Sequence, residues 1–128
     1  MRSEPSDLQR LLIKQSIRDQ LSCYCRGLDR MDKPLARSVF HENAKANYHG
    51  MYEGSGLGFI DWVWEAHRAM ASHSHQVNNI LTDIAPDGVC SEAYVTIALW
   101  TLPDATGAQT EIVARGRYLD RWIEHEGA

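Results

Sequence analysis

The stretch His73-Ser74-His75-Gln76-Val77-Asn78-Asn79 divides the chain into two halves of different periodicity. Before it, apolar residues recur at helical spacing; from it onward they alternate, as in half-buried strands. A strand sends alternate side chains to opposite faces. His73, His75, Val77 and Asn79 therefore share one face, and Ser74, Gln76, Asn78 and Ile80 share the other. Histidine titrates at about 6.5 and suits proton transfer near neutral pH. Two candidate bases thus stand roughly 7 Å apart along one strand face, and alternation does not choose between them.

Working back from this strand, residues 57–71 predict an unusually apolar helix carrying Phe59, Ile60, Trp62, Val63, Trp64, Ala66 and Met70. Its wet face is Asp61, Glu65 and Arg68, at i, i+4 and i+7. Two tryptophans within three residues point to a pocket wall or a subunit contact beside plain core. Further back, Gly50 to Gly56 is rich in turn residues, and Ala44 to His49 predicts a short strand with Ala44, Ala46 and Tyr48 on one face. Asp32 is placed to cap a short helix with Pro34 in its first turn. Residues 7–30 predict a long helix, opened by the capping box Ser6-Asp7-Leu8-Gln9. Its last turns carry Tyr24 and Asp29. An aspartate opposes the helix dipole at a C-terminus, a small cost that hints at another use.

Working forward, His73 to Ile84 is a long strand, and Pro86-Asp87-Gly88 is a turn signal. Val89 to Thr101 alternates, and Gln109 to Glu124 forms a third long strand. On that last strand Ile112, Ala114, Gly116, Tyr118 and Trp122 face one way; Glu111, Arg115, Arg117 and Arg121 face a solvated or subunit-facing side. Helices first and long antiparallel strands last is the order of an α+β domain, with helices on one side of a curved sheet.

The totals narrow the function classes. A chain of 128 residues suits one domain, here residues 1–128, with enough buried surface for a core. Net charge is −4 and Lys and Arg are scattered, so no nucleic-acid partner is expected. No apolar run reaches the roughly 18 residues of a membrane span, and Met1-Arg2-Ser3-Glu4-Pro5 lacks a signal-peptide core. With three cysteines forming no even framework, a cytoplasmic location is expected. Cys23 and Cys25 lie about 200° apart around a helix and cannot easily share a metal, so both read as small helix residues. His41, His67 and His125 read as surface residues.

Four phrases, in order along the chain, resemble the SnoaL-like branch of the nuclear transport factor 2-like superfamily. They are Tyr24-Cys25-Arg26-Gly27-Leu28-Asp29-Arg30-Met31-Asp32, Tyr48-His49-Gly50 to Gly54, Ser74 to Asn79, and Gly116-Arg117-Tyr118-Leu119-Asp120-Arg121. The resemblance implies a cone-shaped, curved sheet with three helices packed on its concave side. It is similar in function to lyases: scytalone dehydratase, hexachlorocyclohexane dehydrochlorinase and bile-acid 7α-dehydratase. These pair an aspartate at the end of the first helix with a histidine on the strand after the apolar helix. Asp29 and His75 match those positions, and Tyr24 matches the tyrosine of the bile-acid enzyme. The dehydrochlorinase has a lysine at that place, where this chain departs from it. The chain also departs in ending near a turn, Glu124-His125-Glu126-Gly127, without the usual last strand.

The expected chemistry is elimination across a C–C bond. A neutral imidazole removes a proton while a carboxylate on its other nitrogen fixes the tautomer. A hydroxyl from Tyr24 assists the developing oxyanion or departing group. His75, Asp29 and Tyr24 are the expected catalytic set, with Tyr48, Trp62, Val63, His73, Asn79 and Tyr118 as substrate-binding residues. The substrate expected is a small hydrophobic cyclic compound such as a steroid, polyketide or aromatic. The family resemblance implies no cofactor and no metal; a metal site on His73 and His75 needs a third ligand such as His49 or Asp29. It also implies a homodimer or homotrimer. An isomerase or cyclase using the same dyad, and a ligand-binding or assembly module without catalysis, are the alternatives.

Overall fold

A computed structural model of the chain describes residues 3–124. Met1, Arg2, His125 and the Glu126-Gly127 part of the terminal turn lie outside the described residues. The order is α1 (Asp7–Asp29), α2 (Lys33–Ser38), β1 (Lys45–Asn47), β2 (Glu53–Ser55), α3 (Gly56–Arg68), β3 (Met70–Ala85), β4 (Gly88–Thr101) and β5 (Glu111–Trp122). This is the expected α+β order, with helices first and an antiparallel meander last. The third helix ends three residues earlier than its apolar pattern predicts. Met70 opens β3, where it pairs opposite Thr101. Among the described residues no helix is long and apolar enough to cross a membrane.

Each helix begins where its cap dictates. Ser6 Oγ accepts from the Gln9 N–H while the Ser6 N–H donates to Gln9 Oε1, closing the capping box. Asp32 caps α2 through the Leu35 N–H, and Ser55 caps α3 through the Gly58 N–H. The end of α1 is equally defined. The Asp32 N–H reaches the Gly27 carbonyl and the Met31 N–H reaches that of Leu28, the two bonds of a Schellman turn. Met31, at φ 52°, occupies the left-handed position usually given to glycine. Asp29 is thereby held as the last helical residue. Two residues earlier Gly27 lets α2 approach: a Cβ there would lie 2.6 Å from the Ala36 backbone nitrogen.

β3, β4 and β5 form one antiparallel sheet in that order, and β1 and β2 form a separate two-stranded ribbon. Both β3 and β5 are therefore edges among the described residues. Ala93 and Val95 of β4 are buried, with Tyr118 of β5 paired opposite Ala93. One core cluster joins Ile17 and Leu21 of α1 to Ala93 of the sheet. A second joins Tyr24 and Leu28 of α1, Ala36 of α2, Ala46 of β1 and the apolar side of α3. Leu8, Leu11 and Leu12 remain exposed at the start of α1. Among the described residues the opposite sheet face carries no helix, and Leu81, Tyr94 and Leu119 on it are exposed.

β3 does not alternate throughout. Its register to β4 shifts between Val77 and Ile80, and Val77 and Ile80 both pack on the Ile17–Leu21–Ala93 cluster. The expectation that Asn79 shares a face with His75 is corrected here. A bulge inserts one residue into the period of two, and Ile80 takes the inward position while Asn79 is exposed.

Candidate functional site

The C-terminus of α1 and the edge of β3 meet through a single residue pair. Because β3 is an edge strand, the His75 backbone N–H has no sheet partner on its outer side and donates to Asp29 Oδ2 at 3.0 Å. The same carboxylate accepts from the ring: His75 Nδ1 lies 2.6 Å from Asp29 Oδ1. Asp29 thus grips both backbone and side chain of one residue. An ionised carboxylate only accepts hydrogen bonds, so the proton sits on Nδ1 and the Nε2 lone pair is left as the basic atom of neutral His75. The His75 side chain is 2% exposed and that of Asp29 26%. The carboxylate that opposes the dipole at the end of α1 is compensated by these two bonds.

A cleft of about 490 Å³ opens beside the pair. Its lining includes Ser22, Arg26, Arg30, Gln76 and Asn78 together with Asp29 and His75. This differs from the apolar pocket expected. Asn78 lines the cleft, and the expected Asn79 does not. Tyr48, Val63 and Tyr118 are absent from the cleft lining and pack against the neighbouring core cluster, of which Val63 is a buried member. The Tyr48 ring stacks on Phe59 with centroids 4.0 Å apart, and Tyr24 meets Tyr118 and Phe40 edge-on. Trp62 is 41% exposed and stacks on Phe59 at the rim of the same cluster.

Tyr24 does not hydrogen-bond the Asp29–His75 pair. Its hydroxyl lies 3.4 Å from that of Tyr48, long for an O–H···O bond. Burial, reinforced by Tyr48 and Tyr118, pushes the Tyr24 hydroxyl well above the ordinary tyrosine range. Burial pushes Tyr48 to about 12 and Tyr118 higher still. All three stay protonated and can act only as neutral donors or acceptors. Burial, followed by the charge of Asp29 one helical turn away, also raises Cys25 to about 11, so that thiol is not a nucleophile.

His73 is held by one main-chain carbonyl. Its Nε2 lies 2.8 Å from the His67 carbonyl and its Nδ1 3.5 Å from that of Asp29. Among the described residues no three His, Cys, Asp or Glu side chains are grouped to hold a metal ion.

Two residues of this region escape the sequence reading. The expectation of a surface His67 is overturned: it is 7% exposed, with its ring 5.2 Å from His75 and nearly parallel to it at 16°. Its Nδ1 donates to the Val63 carbonyl, and its Nε2 is buried without a partner, an arrangement that costs about 1–3 kcal/mol. Burial, with the neighbouring His75, lowers His67 to about 4. The helical wheel carries a usable signal, since His67 lies four residues after the buried Val63 and seven after Ile60. Asp120 is the other. It lies two residues from Tyr118 and two from Trp122 on β5, so the period of two already puts it on their face. Burial raises its carboxyl to about 6.

These two groups impose opposite pH dependences on stability. Native Asp120 holds its proton up to about pH 6 and the unfolded chain only to about 4. The native state therefore binds more protons in that window, and stability falls as pH rises through it. Native His67 releases its proton near 4 whereas the unfolded chain holds it to about 6.5. Through this group stability rises with pH over that window. Asp120→Asn removes the falling component and is expected to stabilise the protein at neutral pH by up to about 3 kcal/mol. Urea unfolding at a series of pH values measures this. A variant no more stable than wild type at pH 7 contradicts the buried carboxylate.

The comparisons with known proteins agree with the fold. The SnoaL-like domain family matches residues 9–128. Among solved structures, a candidate scytalone dehydratase from Novosphingobium aromaticivorans superimposes with a TM-score of 0.79 and 17% identity, over 92% of this chain and 78% of that one. A type 2 hexachlorocyclohexane dehydrochlorinase gives 0.79 and 19% identity, over 95% and 82%. An NTF2-like protein with a cystatin-like fold, also from N. aromaticivorans, gives 0.66 and 18%, over 88% and 74%. At such identities the likeness is one of fold. No curated protein matches this chain.

Proposed function

The chain belongs to the SnoaL-like domain family, and from that premise we propose that it is a cofactor-independent lyase of the dehydratase type. The observation that carries this reading is the Asp29 carboxylate bound to both the backbone and the ring of His75. Such an arrangement presents a neutral imidazole with its Nε2 lone pair free, the form required of a general base. The base takes a proton from the carbon next to an activating group; the C–H electrons form the double bond, and a hydroxide or halide departs from the neighbouring carbon. Asp29 stabilises the imidazolium so formed without itself taking the proton. Tyr24, permanently protonated, is the proposed donor to oxygen in the substrate, reached once a ligand parts it from Tyr48. Solved structures of the same fold bearing the names of a dehydratase and a dehydrochlorinase support this class of reaction.

The substrate proposed is a small cyclic compound, a hydroxy-ketone or a halogenated ring. Its apolar body would meet the rings of Tyr48 and Trp62 at the edge of the aromatic cluster, with its polar end toward the cleft at Asp29 and His75. Incubation with a panel of such compounds, followed by mass spectrometry, tests the reading. Loss of one water or one hydrogen halide is expected. A product of unchanged mass indicates isomerisation, and binding without turnover indicates a ligand-binding module; either outcome overturns the lyase.

A homodimer or homotrimer is part of the same proposal, with the helix-free sheet face carrying Leu81, Tyr94 and Leu119 as the contact. Light scattering on wild type and on Leu119→Lys, followed over a dilution series, is expected to show an assembly that the variant weakens. A wild type monomeric throughout contradicts it.

A further inference from the structure

We infer that His67 is a positioning residue for His75: its ring, locked in one tautomer by α3, forms the face against which the His75 imidazole is stacked and oriented. The inference rests on His75 as the base only for its consequence in turnover; the stacking itself is read from geometry alone.

The lock has two parts. A carbonyl oxygen only accepts, so the His67 Nδ1 at 3.0 Å from the Val63 carbonyl carries a hydrogen. The ring plane is thereby tied to the helix one turn above. The His67 carbonyl in turn accepts from His73 Nε2 at 2.8 Å, tying the end of α3 to the start of β3. The polypeptide between His67 and His75 is thus clamped at both ends, by these bonds and by Asp29.

The stack then completes what the carboxylate leaves undone. The bond from His75 Nδ1 to Asp29 fixes one edge of the ring, but a single bond allows the ring to rotate about it. A nearly parallel neighbour at 5.2 Å restricts that rotation. The charges around His67 are Asp29 from α1 and His73 and His75 from β3. Its buried, unpartnered Nε2 disfavours a charge on His67 itself. When His75 takes a proton, the imidazolium therefore lies over a neutral ring, with the Asp29 carboxylate as its bonded counter-charge. Helix packing alone does not require a histidine here, since an apolar side chain would leave no orphaned nitrogen.

Imidazole NMR of nitrogen-labelled protein separates this role from simple packing. In wild type the His75 Nδ1–H is expected as a slowly exchanging resonance. His67→Phe keeps a flat ring without the lone pair and is expected to keep that resonance and the His75 titration midpoint. His67→Ala and His67→Gln remove the stacked ring and are expected to broaden the resonance. On a responding substrate, they are also expected to reduce turnover by roughly 10- to 100-fold. A folded His67→Ala or His67→Gln with an unchanged resonance and midpoint overturns the proposal, as does a folded His67→Phe that loses the resonance. Should His67→Ala not fold, the Phe and Gln variants still decide. Because the resonance is read without substrate, failure of the lyase reading leaves this outcome interpretable.

Discussion

Exchange of His75 for glutamine is expected to lower turnover of a responding substrate by about 10²–10⁴-fold, the range for loss of a general base. Glutamine keeps the backbone N–H that binds Asp29 Oδ2, so the strand edge stays anchored. What disappears is the nitrogen that accepts the proton. Asp29→Asn is expected to be comparably damaging although it is nearly isosteric. The carboxylate satisfies two donors at once, the His75 N–H at 3.0 Å and the ring Nδ1–H at 2.6 Å. An asparagine has a single oxygen, so one donor loses its acceptor. If the amide then donates to Nδ1, the ring proton moves to Nε2 and the base is lost. Circular dichroism and thermal unfolding confirm that each variant is folded, and initial rates measure the loss. Unchanged rates in both variants remove the pair from the mechanism.

Leu28→Ala is expected to destabilise the protein by about 2–5 kcal/mol, among the larger effects of a single core truncation. Leu28 is 1% exposed and belongs to the cluster that joins α1, α2 and α3. It precedes Asp29 directly, and its carbonyl receives the Met31 N–H in the turn that ends α1. A cavity there loosens both the core and the helix end that presents the carboxylate. Denaturant unfolding measures the first effect. The second appears as a rise in the exchange rate of the His75 Nδ1 proton. A loss under 1 kcal/mol would mean that the three helices close over the cavity, which close packing makes unfavourable.

Much of this molecule is legible residue by residue. The capping box at Ser6 and Gln9, the caps at Asp32 and the turn before Gly88 are local patterns, and each appears where its chemistry requires. The alternation over β4 is likewise local and survives folding. The pairing of Asp29 with His75 is different. The two residues lie 46 positions apart, and no periodicity connects them; family resemblance put them together, and the geometry of an edge strand explains how. His67 shows the opposite case. Its position on α3 places it on the buried side, yet histidine is ordinarily a residue of intermediate exposure, and composition argues for the surface. Asn79 fails for a third reason, because a bulge changes the strand period without announcing itself in residue types.

The sequence by itself determined the order of the long elements, the caps that open the first two helices and the identity of the candidate base and its carboxylate, but not β2, which lies in a stretch read as turn. Those features depend on neighbours within a few positions, or on phrases shared with a family. The tertiary structure alone decided the rest. It bulged β3 so that Ile80 rather than Asn79 turns inward, packed Tyr24, Tyr48 and Tyr118 against one another, and stacked His67 on His75. Each follows from the competition of distant side chains for one buried volume, a contest that spacing along the chain does not encode. His73 to Asn79 is therefore a strand edge whose one buried histidine is oriented by two helices, Asp29 from α1 and His67 from α3.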